Sequence, residues 1–171
     1  MSKHTVYQGR RYRVEAVTFP DYPGHEYQIV RHPGSAVILP LLNEDEVVVI
    51  HNWRAALERE IVELPAGTLE PGEDPVECAK RELTEETGYS AGRMEPLAEM
   101  WPSPGICDEK MRLFVARDLT EGRTNFDEGE RIRVAVMRFD DVLVAIANGQ
   151  IQDAKTMVAM LMYDAQRRER S

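Results

Sequence analysis

Residues 67–89 run Gly67-Thr68-Leu69-Glu70-Pro71-Gly72-Glu73-Asp74-Pro75-Val76-Glu77-Cys78-Ala79-Lys80-Arg81-Glu82-Leu83-Thr84-Glu85-Glu86-Thr87-Gly88-Tyr89. The pattern predicts a helix from Asp74 to Thr87. Asp74 suits the N-cap and Pro75 the first helical position, while Glu77, three residues after the cap, completes a capping box. Gly88 suits the left-handed position just past the end. Val76, Ala79 and Leu83 recur at three- and four-residue spacing, a narrow apolar stripe that must pack on a sheet. On the same helix Glu82, Glu85 and Glu86 stand at i, i+3 and i+4, so three carboxylates leave one surface within a single turn. Like charges this close repel and raise one another's pKa unless cations sit among them. Hard oxygen ligands with room for water are what Mg²⁺ prefers.

Before this helix the chain reads as strands. Tyr12 to Thr18, Tyr27 to Arg31, Ala36 to Leu42 and Val47 to Trp53 are rich in β-branched and aromatic residues, with turn clusters at Asp21-Tyr22-Pro23-Gly24 and Asn43-Glu44-Asp45. Ala36-Val37-Ile38-Leu39 and Val47-Val48-Val49-Ile50 are continuous apolar runs and are expected to be buried on both faces. After the helix, strands are expected at Met94 to Trp101, Met111 to Arg117 and Arg131 to Phe139, the last with Ile132, Val134 and Val136 on one face. Two helices close the chain. Asp140 to Asn148 ends at Gly149, and the helix from Asp153 puts Ala154, Met157, Val158, Leu161 and Ala165 on one side. Arg167-Arg168-Glu169-Arg170 reads as a solvated last turn that complements the helix dipole. Strands first, a helix in the middle and helices last indicate an α+β fold, a mixed sheet covered by helices.

Composition narrows the function. The chain of 171 residues is 43% hydrophobic and 30% charged, enough for one substantial core and too short for two ordinary domains. Its net charge of -9 argues against a nucleic-acid partner, since phosphate contacts are made by Lys and Arg clusters. No apolar stretch approaches the roughly 20 residues of a membrane span, and Met1-Ser2-Lys3-His4-Thr5-Val6 lacks the apolar run of a secretory signal. A cytoplasmic protein with no membrane partner is expected. Cys78 and Cys107 lack CxxC spacing and read as two free thiols, and the four histidines show no ligand spacing.

A Glu-rich helix is most often a solvated acidic face. The full pattern argues otherwise: the segment follows G-x5-E-x7-R-E-U-x-E-E-x-G-U, where U is a bulky apolar residue, with Gly67, Glu73, Arg81, Glu82, Leu83, Glu85, Glu86 and Gly88 all in register. Only Tyr89 departs, and it is still large and largely apolar. This segment resembles the Nudix hydrolase signature. The resemblance extends from about Ser35 to the last helix and implies a Nudix-type α/β/α sandwich with a mixed central sheet and an N-terminal antiparallel strand region. It implies two parts: residues 1–34, a strand region that forms a homodimer, and residues 35–171, the hydrolase domain.

The resemblance also implies roles. Glu82 and Glu86, with the carbonyl of Ala66, are implied ligands of Mg²⁺, for which Mn²⁺ can substitute; Glu85 assists them, and Arg81 and Glu73 brace the loop. Trp101-Pro102-Ser103-Pro104-Gly105 places Pro104 sixteen residues after Gly88, a spacing that resembles the marker of the ADP-ribose pyrophosphatase subfamily. In that subfamily an acidic loop similar to Asp127-Glu128-Gly129-Glu130 supplies the general base and a further metal ligand. By position Glu128 takes the first role and Glu130 the second, with the roles exchangeable. Arg54 resembles the arginine that holds the diphosphate or terminal ribose, while Asp108 and Glu109 read as solvated charges. Tyr22 and Tyr27 are aromatics able to stack on adenine, although core is the commoner fate of aromatics in strands. The implied substrate is a nucleoside diphosphate sugar, ADP-ribose first. GDP-mannose is the alternative among enzymes, and a non-catalytic ADP-ribose sensor the alternative outside them.

Overall fold

The computed structural model describes residues 1–125 and 131–169. Three strands, β1 (Ser2–Gln8), β2 (Arg13–Thr18) and β3 (Glu26–Arg31), pair antiparallel in the order β1-β2-β3. Next come β4 (Ser35–Pro40), β5 (Glu46–Arg54), β6 (Arg59–Glu63) and β7 (Ala66–Thr68), followed by α1 (Pro75–Thr87). The chain continues through β8 (Tyr89–Met100), β9 (Met111–Glu121), β10 (Ile132–Arg138), α2 (Phe139–Ala147) and α3 (Ala154–Glu169). One sheet has the order β7-β4-β9-β8 and is mixed, because β4 and β9 run parallel while the other pairs are antiparallel. The other, β10-β5-β6, is antiparallel throughout.

Period-two alternation along β4 and β9 builds the layers. Ala36 and Ile38 with Phe114 and Ala116 meet Cys78, Ala79 and Leu83 of α1 on one side. Val37 and Leu39 with Leu113 and Val115 face the other way and join Val47 and Val49 of β5, Phe139 and Val142 of α2, and Ala159 and Met160 of α3. The mixed sheet is therefore covered by α1 on one face and by the second sheet with α2 and α3 on the other, an α/β/α arrangement of the α+β class. Every residue of β4 is buried, as its unbroken apolar run requires.

The start of α1 is capped as expected, with the Asp74 carboxylate accepting from Val76 N at 2.8 Å, and Gly88 ends the helix at φ +77°. Glu77 does not reach back to the cap; it pairs with Lys80 at 2.8 Å. Three strands lay outside the sequence reading. β1 is exposed along its whole length and so carries no burial pattern; β6 and β7 are too short for a period.

Four expectations are corrected by packing. In β10 it is Ala135 and Met137 that touch the larger core while Val136 is 46% exposed; apolar residues occur in both registers of this strand, so alternation could not choose the face. In α3 the buried side chains are Lys155, Thr156, Ala159, Met160, Tyr163 and Asp164, and Leu161 is half exposed. The helix is turned to bring polar residues inward, for reasons that belong to the site. Arg167 is no free terminal charge, since it binds Asp140 and Asp164 at 2.8 Å each and lies 4.2 Å over the Phe139 ring, tying α3 to α2. Tyr22 and Tyr27 are exposed rather than core.

The first sheet is joined to the rest through β3 and the loop after β8. Val30 N donates to Ile106 O at 2.8 Å, Asp108 N donates to Val30 O at 3.1 Å, and Arg31 pairs with Asp108 at 3.0 Å. Asp108 is exposed, as a solvated charge would be, and it also ties the loop after β8 to β3. No helix among the described residues is long and apolar enough to cross a membrane.

Leu83 is fully buried between α1 and the mixed sheet. Leu83→Ala is expected to cost about 2–5 kcal/mol, because a cavity is left where neighbours cannot close in; guanidinium unfolding measures it. A loss well under about 1 kcal/mol would mean that this stripe does not anchor the helix.

Candidate active site

Arg81 gathers the acidic side chains of the helix and of the loop before it. Its Nε and Nη2 donate to Glu73 Oε1 and Oε2 at 2.9 and 3.1 Å, and Nη1 donates to Glu82 Oε1 at 2.6 Å and Glu85 Oε2 at 3.0 Å. Nη2 also reaches the carbonyl of Thr68 at 3.3 Å. The guanidinium hydrogen bonds hold the Glu73 carboxyl below its ordinary value, and they raise Arg81 itself. Glu73 further accepts from Glu70 N at 2.8 Å, so one carboxylate fastens the loop to the helix.

Glu86, 4% exposed, accepts from Ala66 N at 2.8 Å. Gly67 lies against Glu82 so closely that a Cβ built on it would stand 1.8 Å from the Glu82 carboxyl carbon. A side chain there and the carboxylate cannot occupy the same space, which is the physical demand for glycine at the start of the motif. The nearby Cys78 thiol is buried and pushed up to about 12, chiefly by burial, so it offers no soft thiolate.

Glu82, Glu85 and Glu86, with the backbone of Ala66 and Gly67, line one wall of a cleft of about 530 Å³. The Arg81 guanidinium is shared by Glu73, Glu82 and Glu85, and the donors that Glu82, Glu85, Glu86 and the Ala66 carbonyl offer are hard oxygens, which fits a divalent cation of the Mg²⁺ or Mn²⁺ kind. Among the described residues no three acidic, histidine or cysteine side chains form a cation cage as they stand. Glu82 and Glu85 turn toward Arg81, and Glu86 toward the Ala66 amide.

Cationic side chains line the same cleft. Arg54 donates through Nε and Nη2 to Glu63 Oε1 and Oε2 at 2.6 and 2.5 Å, and Lys155 Nζ donates to Glu63 Oε2 at 2.5 Å. Burial pushes the Glu63 carboxyl up, but the Arg54 hydrogen bond and the Lys155 charge outweigh it, so the group stays below its ordinary value. The Glu63 hydrogen bond raises Arg54. Arg10 and Arg11, at the turn between β1 and β2, also line the cleft.

The NUDIX domain model matches residues 31–160. The chain belongs to the Nudix hydrolase family. It is 39% identical to a methanol dehydrogenase activator of Bacillus methanolicus, over 91% of this chain and 86% of that protein. It is 35% identical to an ADP-ribose pyrophosphatase of Bacillus subtilis (strain 168), over 94% and 89%. A GDP-mannose pyrophosphatase of Cronobacter sakazakii is 33% identical over 78% of each. In fold, the crystal structure of an ADP compounds hydrolase superposes with a TM-score of 0.82 at 22% identity, covering 100% of this chain and 94% of that one.

Of the residues singled out in this Nudix sequence, Ala66, Gly67, Arg81, Glu82, Glu85, Glu86 and Arg54 line the same cleft, and Glu73 braces it from behind. Pro104 lines a second cleft, with Tyr27, Ile29, Trp101 and Ile106. Glu128 and Glu130 lie outside the described residues. Their flanks are anchored: Asn125 N donates to Glu85 O at 2.9 Å, and Trp53 N to Arg131 O at 3.2 Å. Glu109, read as solvated, lines the carboxylate cleft and accepts from Ser35 Oγ at 2.8 Å.

Lys155, Arg10 and Arg11 were missed, and Glu63, in the Glu63-Leu64-Pro65-Ala66-Gly67 stretch just before the motif, had no role assigned to it. Lys155 sits beside apolar positions of a helix, where periodicity assigns a charged residue to solvent, and the turn arginines carry no spacing that points to a site.

Gly67→Ala is expected to displace the Glu82 carboxylate without unfolding the protein. Affinity for Mn²⁺, read by EPR, should fall roughly tenfold or more, with Tm lowered by no more than about 5 °C. Unchanged Mn²⁺ affinity would contradict the reading of this contact.

Proposed function

We propose that this Nudix hydrolase cleaves the diphosphate of ADP-ribose with Mg²⁺, giving AMP and ribose 5-phosphate. The carboxylate helix, held against Ala66 and Gly67 in a cleft that basic side chains also line, carries the reaction type. Similarity to a protein named an ADP-ribose pyrophosphatase supports the substrate. Glu82 and Glu86, with the Ala66 carbonyl, hold the metal; Glu85 assists, and Arg81 with Glu73 keeps the set in place. When bound, divalent cations neutralise diphosphate oxygens and stabilise charge on the departing phosphate.

Glu128 takes the proton from the attacking water and Glu130 is a further ligand, roles that could be exchanged. The water oxygen bonds to phosphorus, the bridging P–O bond breaks, and its electron pair leaves on the departing phosphate. Arg54 receives the diphosphate or the terminal ribose through charge-assisted hydrogen bonds, and Pro104 shapes the substrate loop. The sensor alternative is disfavoured because every box carboxylate is present.

Residues 1–34 are proposed to form a homodimer, supported by the exposed Val6, Tyr7, Tyr12 and Tyr22 on and around the first sheet. We place the enzyme in the cytoplasm, with no nucleic-acid or membrane partner, in line with its acidic balance.

GDP-mannose is the second reading, favoured by relatives bearing that name. Incubation with Mg²⁺ and separate samples of ADP-ribose, ADP-glucose, GDP-mannose and NADH, followed by product chromatography, distinguishes them. AMP and ribose 5-phosphate from ADP-ribose at the highest kcat/KM is expected, with Glu82→Gln lowering it on the order of 100-fold or more. Preference for GDP-mannose would replace the substrate, and absence of a nucleoside monophosphate from every sample would overturn the hydrolase reading.

A further inference from the structure

The first turn of α3 is built unlike the rest of that helix. Lys155 and Thr156 are 8% and 0% exposed, on the face that also buries Ala159 and Met160. An ammonium in such a place is costly unless it is paired and hydrogen-bonded. Lys155 is paired twice, with Glu63 at 2.5 Å and Asp153 at 2.9 Å. Thr156 is equally committed. Its hydroxyl donates to Asp153 Oδ2 at 2.6 Å and accepts from Leu64 N at 2.8 Å, while its own N–H donates to the same Asp153 oxygen at 3.0 Å.

These bonds end on neighbouring residues of one segment. Glu63 closes β6, Leu64 follows, and Ala66 and Gly67 begin β7 beside the carboxylate helix. Glu63 is 1% exposed and holds the Nε and Nη2 edge of Arg54. In a planar guanidinium that contact turns the Nη1 edge the other way, and Arg54 lines the cleft.

We propose that Lys155 is a positioning residue for this reaction, acting through Glu63 on Arg54. By sharing Glu63 Oε2, Lys155 carries part of the compensation that the buried carboxylate would otherwise draw from Arg54 alone, and so leaves the guanidinium able to bind an anionic substrate group. Thr156, from the same turn, fixes the backbone of Leu64 and hence the approach to Ala66. The inference rests on the proposed role of Arg54 at the diphosphate or ribose.

A double-mutant cycle with Lys155→Met and Arg54→Ala tests it, using ADP-ribose and Mg²⁺. The Nε–H signal of Arg54 is followed in ¹⁵N-labelled protein and assigned by its loss in Arg54→Ala. Each single change is expected to raise KM about tenfold, with kcat falling by a smaller factor, and the double variant should lie within about twofold of Arg54→Ala. The Arg54 Nε–H signal should shift in Lys155→Met and return toward its original position in Lys155→Arg. Should Lys155→Met lose its cooperative unfolding transition, Lys155→Gln replaces it in the cycle. Effects on KM that multiply, or an Arg54 signal unmoved in a folded Lys155 variant, would overturn the proposal. A wild-type protein inactive on ADP-ribose would instead remove the substrate reading, and the Arg54 signal would still decide whether Lys155 acts on that side chain.

Discussion

A single guanidinium reconciles an arrangement that a helix would otherwise resist. Three glutamates within one turn repel one another, and Glu73 in the preceding loop adds a fourth negative charge. Arg81 sits among them, donating to Glu73, Glu82 and Glu85 and to the carbonyl of Thr68. It converts repulsion along the helix into a tie between helix and loop. On the same helix Glu82 lies against Gly67 and Glu86 accepts from Ala66 N–H, so the helix meets the start of β7 at two further points. One positive charge among four carboxylates does not neutralise the wall, and the surplus is what a divalent cation would meet.

The same cleft also holds the reverse arrangement, a buried carboxylate between two cations. Glu63 holds Arg54 and Lys155 in the cleft lining, and Asp153 completes the balance. Removing one member of such a buried set costs more than the set contributes as a whole, because the remaining charges lose their compensation. The two arrangements share a short stretch of chain: Glu63 ends β6, and Ala66 begins β7 three residues later. Movement in that stretch would displace the metal-facing backbone and the substrate-facing arginine together, and the Leu64 bond to Thr156 restrains it.

The parts legible in the sequence were those whose cause is local. The cap at Asp74, the left-handed Gly88 and the carboxylate spacing on α1 follow from residues within two turns of one another, and the family motif reinforces them. The burial of β4 was equally plain, since a run of apolar residues has no polar side to expose. The face of α3 was not legible. Its inward Lys155 and Thr156 answer to Glu63 and Leu64, about 90 residues earlier in the chain, and no periodicity encodes such partners. The same holds for Arg167, whose partner Asp140 lies on another helix, and for Asp108, which binds β3. Arg10 and Arg11 reach the cleft only because the first sheet packs beside it.

The central claim is that the carboxylate helix and the Ala66 backbone together form the divalent-metal site at which a diphosphate is cut. Anomalous diffraction from crystals soaked in Mn²⁺ tests it most directly. The account predicts metal density in contact with the carboxylates of Glu82 and Glu86 and the carbonyl of Ala66, with Arg81 still bound to Glu73. Mn²⁺ bound elsewhere, with Glu82 and Glu86 left out of its coordination, would contradict it.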